Sequence, residues 1–305
     1  MDNPRANLAE ARQPAGTEPF QTYASARGAS DLWRRFRRRH SAMFGLAILV
    51  LLFALSWLVP LFSREDPERL KLSQALIAPG AQFWLGTDYL GRDLFTRLLY
   101  GARLSLTIGF LAVGFGLAVG VPLGAISGYY GKWADLIIQR IADILLSFPS
   151  FLLALSLVAM LGVGLQNVVI SVGISAVPSF IRLVRGSVLV IREQTYIEAA
   201  RSIGVRDARI ILLHVLPNAV APVIVQATLN LGSAILIAAG LGFLGLGVQP
   251  PTPEWGSMLG EGRNYIFSHP YMATFPGLAI FFAVLGFNLL GDGLRDALDP
   301  RLRHV

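Results

Sequence analysis

The side chains in this chain that look like reagents can be eliminated one group at a time. Gly131-Lys132 has the ending of a phosphate-cradling loop, but Ile126 stands where its first glycine is required and Trp133 where a hydroxyl should bind magnesium. "GLGFLG", Gly240 to Gly245, has the spacing of a dinucleotide fingerprint, yet it ends an apolar run and follows no strand. The four histidines, His40, His214, His269 and His304, are too scattered for a metal cluster, and with 0 cysteines there is no thiol nucleophile, thiolate site or disulfide. What remains is a place for contact rather than catalysis. "EAARSIGVRDARIILLHVLPN", residues 198 to 218, is a polar, arginine-bearing stretch between two long apolar regions.

Thr195-Tyr196-Ile197-Glu198 fits a capping box, so a short helix is expected to start at Thr195. Ala199 and Ala200 give it a low profile, and Gly204 can take the left-handed conformation that closes it. A second helix is expected from Asp207, ending at Pro217. The product is a helix-turn-helix in water, with Arg201, Arg206 and Arg209 hydrated. Local physics leaves a docking knob and a plain connector equally open.

The elements that carry this loop belong in a bilayer. Hydrophobic residues make up 54% of the chain and charged ones 15%, against about 25% charged in a typical soluble domain. Mean hydropathy is +0.57. "SAMFGLAILVLLFALSWLVPLFS" follows "RRFRRRH" and is long enough to cross a hydrocarbon core of about 30 Å. It is longer than a signal peptide's apolar region and lacks a small-residue cleavage site, so it reads as an uncleaved first span. Uncharged runs from Arg103 to Lys132 and from Asp143 to Arg182 supply three more spans, the latter divided by "GVGLQN". Two runs after the loop complete six. With the amino terminus inside, 19 of the 26 Lys and Arg fall on the inner side. The net charge of +7 therefore reads as a topology signal and not as a nucleic-acid face.

Within the spans, Gly116, Gly120, Gly124 and Gly128 recur every fourth residue and form a bare ridge for close helix approach. The neighbour could be a helix of this chain or of a partner. Pro122 in the same helix could kink it. The glycines of "GLGFLG" are expected to loosen the outer end of the fifth helix. Outside, Asp88 with Arg92 and Asp93 with Arg97 stand at i,i+4 and predict a short amphipathic helix at the interface. Trp84, Tyr89 and Tyr100 suit the headgroup region. Arg182 and Arg185 share a helical face near the inner end of the fourth span, where snorkelling is favoured over a pathway role.

Glu198, Ala199, Ala200, Gly204, Leu216 and Pro217 match the EAA motif of permease subunits in binding-protein-dependent ABC importers. "WLGTDYLGRDLFTRLLYGARLSL", "GYYGKWADLIIQRIADILLSFPSFLLAL", "FLGLGVQPPTPEWGSML" and "LLGDGLRDALDPRLR" resemble the C-type permease of dipeptide/oligopeptide importers, and together the motifs cover about residues 33 to 303. The resemblance implies an all-α polytopic fold with a type I (MetI-like) core. The loop would be the coupling helix that docks on a cytoplasmic ATPase, with Glu198, Ala199, Ala200, Arg201, Gly204, Asp207 and Pro217 as coupling residues. It further implies a second homologous permease, two ATPase subunits or domains carrying ATP and Mg, and an extracytoplasmic solute-binding protein. No catalytic residue, metal or cofactor is expected in this chain, and no nucleic acid.

The expected organisation is a cytoplasmic tail over 1–40, a first transmembrane helix over 41–63, and an extracytoplasmic segment with the short amphipathic helix over 64–101. A five-helix core follows over 102–295, including the coupling loop at 195–217, and then a cytoplasmic tail over 296–305. Within the family, nickel, glutathione or another small solute is the alternative to peptides. An ion-coupled secondary transporter is the rival from another class, and it would need intramembrane acids that the mid-depth parts of these spans lack.

Overall fold

In the computed structural model, residues 29–62 and 66–298 are described. Most of the expected 1–40 tail and nearly all of the 296–305 tail lie outside them. Helix α1 (Ala29–Arg38) is basic in its last turn. It leads into α2 (His40–Phe62), the uncharged first span. After a connecting segment, α3 (Leu94–Tyr130) runs for 37 residues, or about 55 Å.

The expected third span is not one straight helix. Helices α4 (Lys132–Leu146) and α5 (Ser150–Leu161) meet at a bend of 90°. The break falls at Ser147-Phe148-Pro149, where proline disfavours helical geometry in the residue before it. Helix α6 (Leu165–Ile191) runs alongside α3 and is followed by α7 (Thr195–Ser202) and α8 (Asp207–Ile210), which form the loop. Helix α9 (Leu216–Phe243) follows, then the short α10 (Trp255–Gly262) and the last span, α11 (Tyr271–Leu298). Five helices are long and apolar enough to cross a membrane, and the bent pair makes six when counted as one span. The described residues contain no strand.

Helices α3 and α6 make the most extensive contact in the molecule. The glycine ridge is the reason. A Cβ on Gly120 would stand 2.6 Å from the Phe180 Cβ, one on Gly124 2.7 Å from the Ile181 carbonyl, and one on Gly128 2.8 Å from the Val188 Cβ, while Gly116 faces Ala176 and Phe180. The ridge therefore packs inside this chain. The same device joins α2 to α11, where Gly45 lies against Leu289 and Gly286 against Leu49. Around these seams a core of α3, α5, α6, α9 and α11 is closed by side chains such as Leu106, Phe180, Ile235 and Phe287.

Candidate functional site

Helix α7 starts one residue earlier than a capping box requires. Gln194 is the extended N-cap, without a side-chain cap bond, because Ile191 and Gln194 already close a turn (N···O 3.1 Å). Thr195 is therefore helical, and Glu198 is left free of the cap and exposed. The other end follows the sequence closely. Gly204 has φ +78°, the Val205 amide donates to the Ala200 carbonyl (3.1 Å) and the Gly204 amide to that of Arg201 (2.9 Å), the two bonds of a Schellman close.

The two alanines divide. Ala200 is buried with Ile197, Ile210 and Val215 against Ala125 and Tyr129 of α3 and Val184 and Val188 of α6. Ala199 faces outward beside Glu198 and Ser202. Tyr129 pins the loop by its hydroxyl, which donates to Asp207 Oδ1 (2.7 Å) and accepts from Arg201 Nε (3.3 Å). The Arg201 guanidinium also lies over the Tyr129 ring at 4.9 Å, and the hydrogen bond to Tyr129 raises the Arg201 pKa further. Arg201 and Asp207 thus hold the knob to its base. The outward face carries Glu198, Ala199 and Arg206, together with Ile203, 80% exposed, and Leu212 and Leu213.

Pro217 does not end the second helix. A wider π turn over Ile211–Val215 absorbs the missing donor and the ring's bulk, so helix continues from Asp207 to Phe243 over 37 residues. In that turn the Asn218 side chain donates to the His214 carbonyl (2.6 Å).

The opposite end of the molecule is built differently. The expected amphipathic helix over Asp88 to Arg97 is absent: the chain turns at Gly91 (φ +76°), Asp88 Oδ1 accepts from the Leu90 and Arg92 amides (2.9 Å each), and helix begins only at Leu94 with Asp93 as N-cap. Turn chemistry at Asp88 and Gly91 overrides the i,i+4 spacing. The charges are buried, not interfacial. Arg92 pairs with Asp88 and with Glu261 (3.1 Å), and Arg97 lies 3.6 Å from Asp88 and 3.7 Å from Glu261 while donating to the Pro67 and Pro251 carbonyls. Burial raises the Glu261 pKa against the opposing pull of Arg92 and Arg97.

Beside this cluster Glu254, 2% exposed, caps α10 by accepting from the Gly256 (2.9 Å) and Ser257 (2.8 Å) amides and from Ser105 Oγ (2.9 Å). Burial raises its pKa as well. Two glycines of "GLGFLG" serve close packing: a Cβ on Gly242 would stand 2.5 Å from Glu254 Oε2, and Gly240 receives the Phe151 ring, whereas Gly245 turns the chain at φ +77° in open space. Trp84 is exposed at the edge of Phe95, and Tyr89 stacks on Tyr265. Arg182 and Arg185 pair with Asp143 (2.7 Å) and Asp135 (2.5 Å) of α4.

Sequence reasoning missed Tyr129, Ile203 and Glu254. Tyr129 adjoins the ridge at Gly128, and Glu254 immediately precedes a helix start, so each had a local signal. Among the described residues no group of three or more His, Asp or Glu converges as metal ligands would.

The chain is similar to proteins of a known family. Residues 120–304 match the model of the binding-protein-dependent transport system inner membrane component, and residues 29–79 that of the N-terminal TM domain of oligopeptide transport permease C. The dipeptide transport system permease protein DppC of Alkalihalophilus pseudofirmus is 48% identical over 291 residues, covering 95% of this chain and 96% of its own. The glutathione transport system permease protein GsiD of Escherichia coli O157:H7 is 49% identical over 277 residues, 90% of each chain. An inward-facing structure of the MetNI methionine ABC transporter shares the fold, with a TM-score of 0.54 at 22% identity over 67% of this chain and 97% of that one. This chain belongs to the family of binding-protein-dependent transport system inner-membrane components, as a permease subunit of an ABC importer.

Proposed function

We propose that this permease imports short peptides, that its amino terminus faces the cytoplasm, and that the loop over 195–217 is the surface through which ATP hydrolysis on a partner drives it. The observation that carries the coupling role is the division of the loop: Ile197, Ala200 and Ile210 anchor it on α3 and α6 while Glu198, Ala199 and Ile203 stay open. A partner gripping the open face would move the inner ends of both helices with it. Each importer would contain a second homologous permease, two ATPase subunits holding ATP and Mg, and a solute-binding protein at the outer end. Peptide is favoured by the similarity to DppC. Glutathione, named for GsiD, is itself a tripeptide and is the second reading.

Glu198→Ala and Gly204→Asp should leave the membrane domain folded and lower substrate-stimulated ATP hydrolysis in the assembled complex. Native hydrolysis in both variants would remove the coupling role. Sidedness has its own test in a chain with 0 native cysteines. An impermeant thiol reagent applied to intact cells should label Ser268→Cys and spare Ser202→Cys. Labelling at 202 would place the loop out of reach of any ATPase.

A further inference from the structure

The membrane-spanning helices carry a polar track that nothing above employs. Asn230 lies at the midpoint of α9, its Nδ2 donates to Ser179 Oγ of α6 (3.1 Å), and Gln226, one turn away, donates to Asn230 Oδ1 (3.1 Å). These bonds use one N–H of each amide. Among the described residues the Gln226 oxygen and the second N–H of both amides have no partner. All three side chains are half-buried. On α6 the track continues at i+3 and i+7 from Ser179. Arg182 meets Asp143 of α4 at 2.7 Å with 54% and 49% of the two side chains exposed, and a Cβ on Gly186 would meet nothing within 4 Å.

Such a surface does not suit lipid. An amide with spare donors is costly in hydrocarbon, and an open ion pair more so, whereas either is stable beside water within a protein. Amide side chains that served only to join α6 to α9 would be packed and satisfied, like the hydroxyl of Thr228, which is buried and bonded to the Ile224 carbonyl at 2.9 Å.

We propose that Ser179, Arg182 and Gly186 of α6, Gln226 and Asn230 of α9 and Asp143 of α4 line the aqueous path through this permease, and that the track recognises a zwitterionic peptide. The amides offer a donor and an acceptor to each peptide unit. Arg182 takes the terminal carboxylate and Asp143 the terminal ammonium, so that the protein's own ion pair is exchanged for two pairs with the substrate. The choice of ligand rests on the peptide reading, whereas the aqueous lining does not.

Single cysteines at 179 and 226, with the exposed apolar positions Leu51 of α2 and Phe281 of α11 as controls, would be treated with a charged methanethiosulfonate in membranes holding the assembled importer. Positions 179 and 226 should react, the controls should not, and trialanine delivered by the binding protein should slow the reaction several-fold. Silence at 179 and 226, both at rest and during ATP turnover, overturns the lining. Labelling that trialanine leaves unchanged, where the native importer takes trialanine up, overturns the recognition. Labelling where the native importer takes up no peptide keeps the lining and removes peptide as its ligand. Arg182→Gln should raise the transport KM for trialanine about tenfold or more, as the loss of a charge-assisted bond implies, and should leave that for N-acetyl-trialanine amide unchanged. Equal effects on both would show that Arg182 meets no carboxylate.

Discussion

The two ends of this permease use the same residue types to opposite purposes. At the end proposed to lie outside, the outer end, arginines and carboxylates are buried together, and both oxygens of Glu254 accept bonds, from Ser105 and from the start of α10. At the inner end Glu198 is exposed, and the loop is held by a narrow apolar strip and one tyrosine hydroxyl. Charge in a closed setting fixes geometry, because leaving either partner unpaired is expensive. Charge in an open setting costs little to re-pair, which suits the docking role proposed for this loop. The contrast teaches that burial and pairing, more than residue type, decide whether an ionic group here fixes the fold or stays free to pair elsewhere.

The contrast would break most visibly at the outer end. Arg97→Ala should leave Asp88 and Glu261 undercompensated and destabilise the domain by about 3–5 kcal/mol, seen as a large fall in melting temperature in detergent. An unchanged melt would mean that the cluster is ornamental. Glu254→Ala removes an N-cap and the acceptor for Ser105, a loss of about 2 kcal/mol or more. Glu254→Gln keeps an acceptor for part of the set and should melt between native and Glu254→Ala.

Between the two ends, Gly120→Leu should separate α3 from α6, since even a Cβ there meets Phe180 at 2.6 Å. Overpacking costs about 1–3 kcal/mol, and assembly yield and melting should both fall. At the inner end the effects shrink. Tyr129→Phe loses the bonds to Asp207 and Arg201, about 1 kcal/mol, and should loosen the loop to hydrogen exchange without altering the global melt. Smallest of all, Ile203→Ser should leave the melt untouched while weakening capture of the ATPase in pull-down, because Ile203 touches so little of its own chain. A fall in melting equal to that of Arg97→Ala would erase the distinction drawn here.

Much of this was readable from local rules. Hydropathy runs located the five long apolar helices because the bilayer imposes a length on any helix that crosses it. Gly204 was legible because its left-handed close needs no partner outside the loop. The misreadings arose where a local rule met a competing one. Asp88 and Arg92 have helical spacing, but Gly91 and an Asp that bonds its own turn prevail, and Glu261, the second partner of Arg92, lies 169 residues away with no local signal. Pro217 carried a stop signal that the π turn cancels, and Thr195 lost its cap to a turn closed one residue earlier. The bend before α5 had a marker in Pro149, masked by the apolar run around it.

Helix α3 extends about 55 Å, well beyond the hydrocarbon thickness, and both its ends are fastened: Trp255 Nε1 donates to the Leu98 carbonyl at one, and Tyr129 holds the loop at the other. A rod of that length pivoting by about 10° at its outer end sweeps its inner end through about 10 Å. Its tilt also sets how much apolar length it presents to the surrounding lipid. Bilayer thickness would therefore act on the same coordinate as the proposed coupling. Reconstituted turnover should pass through an optimum as acyl chains lengthen, with thin bilayers favouring the more inclined state of α3 and thick ones the more upright.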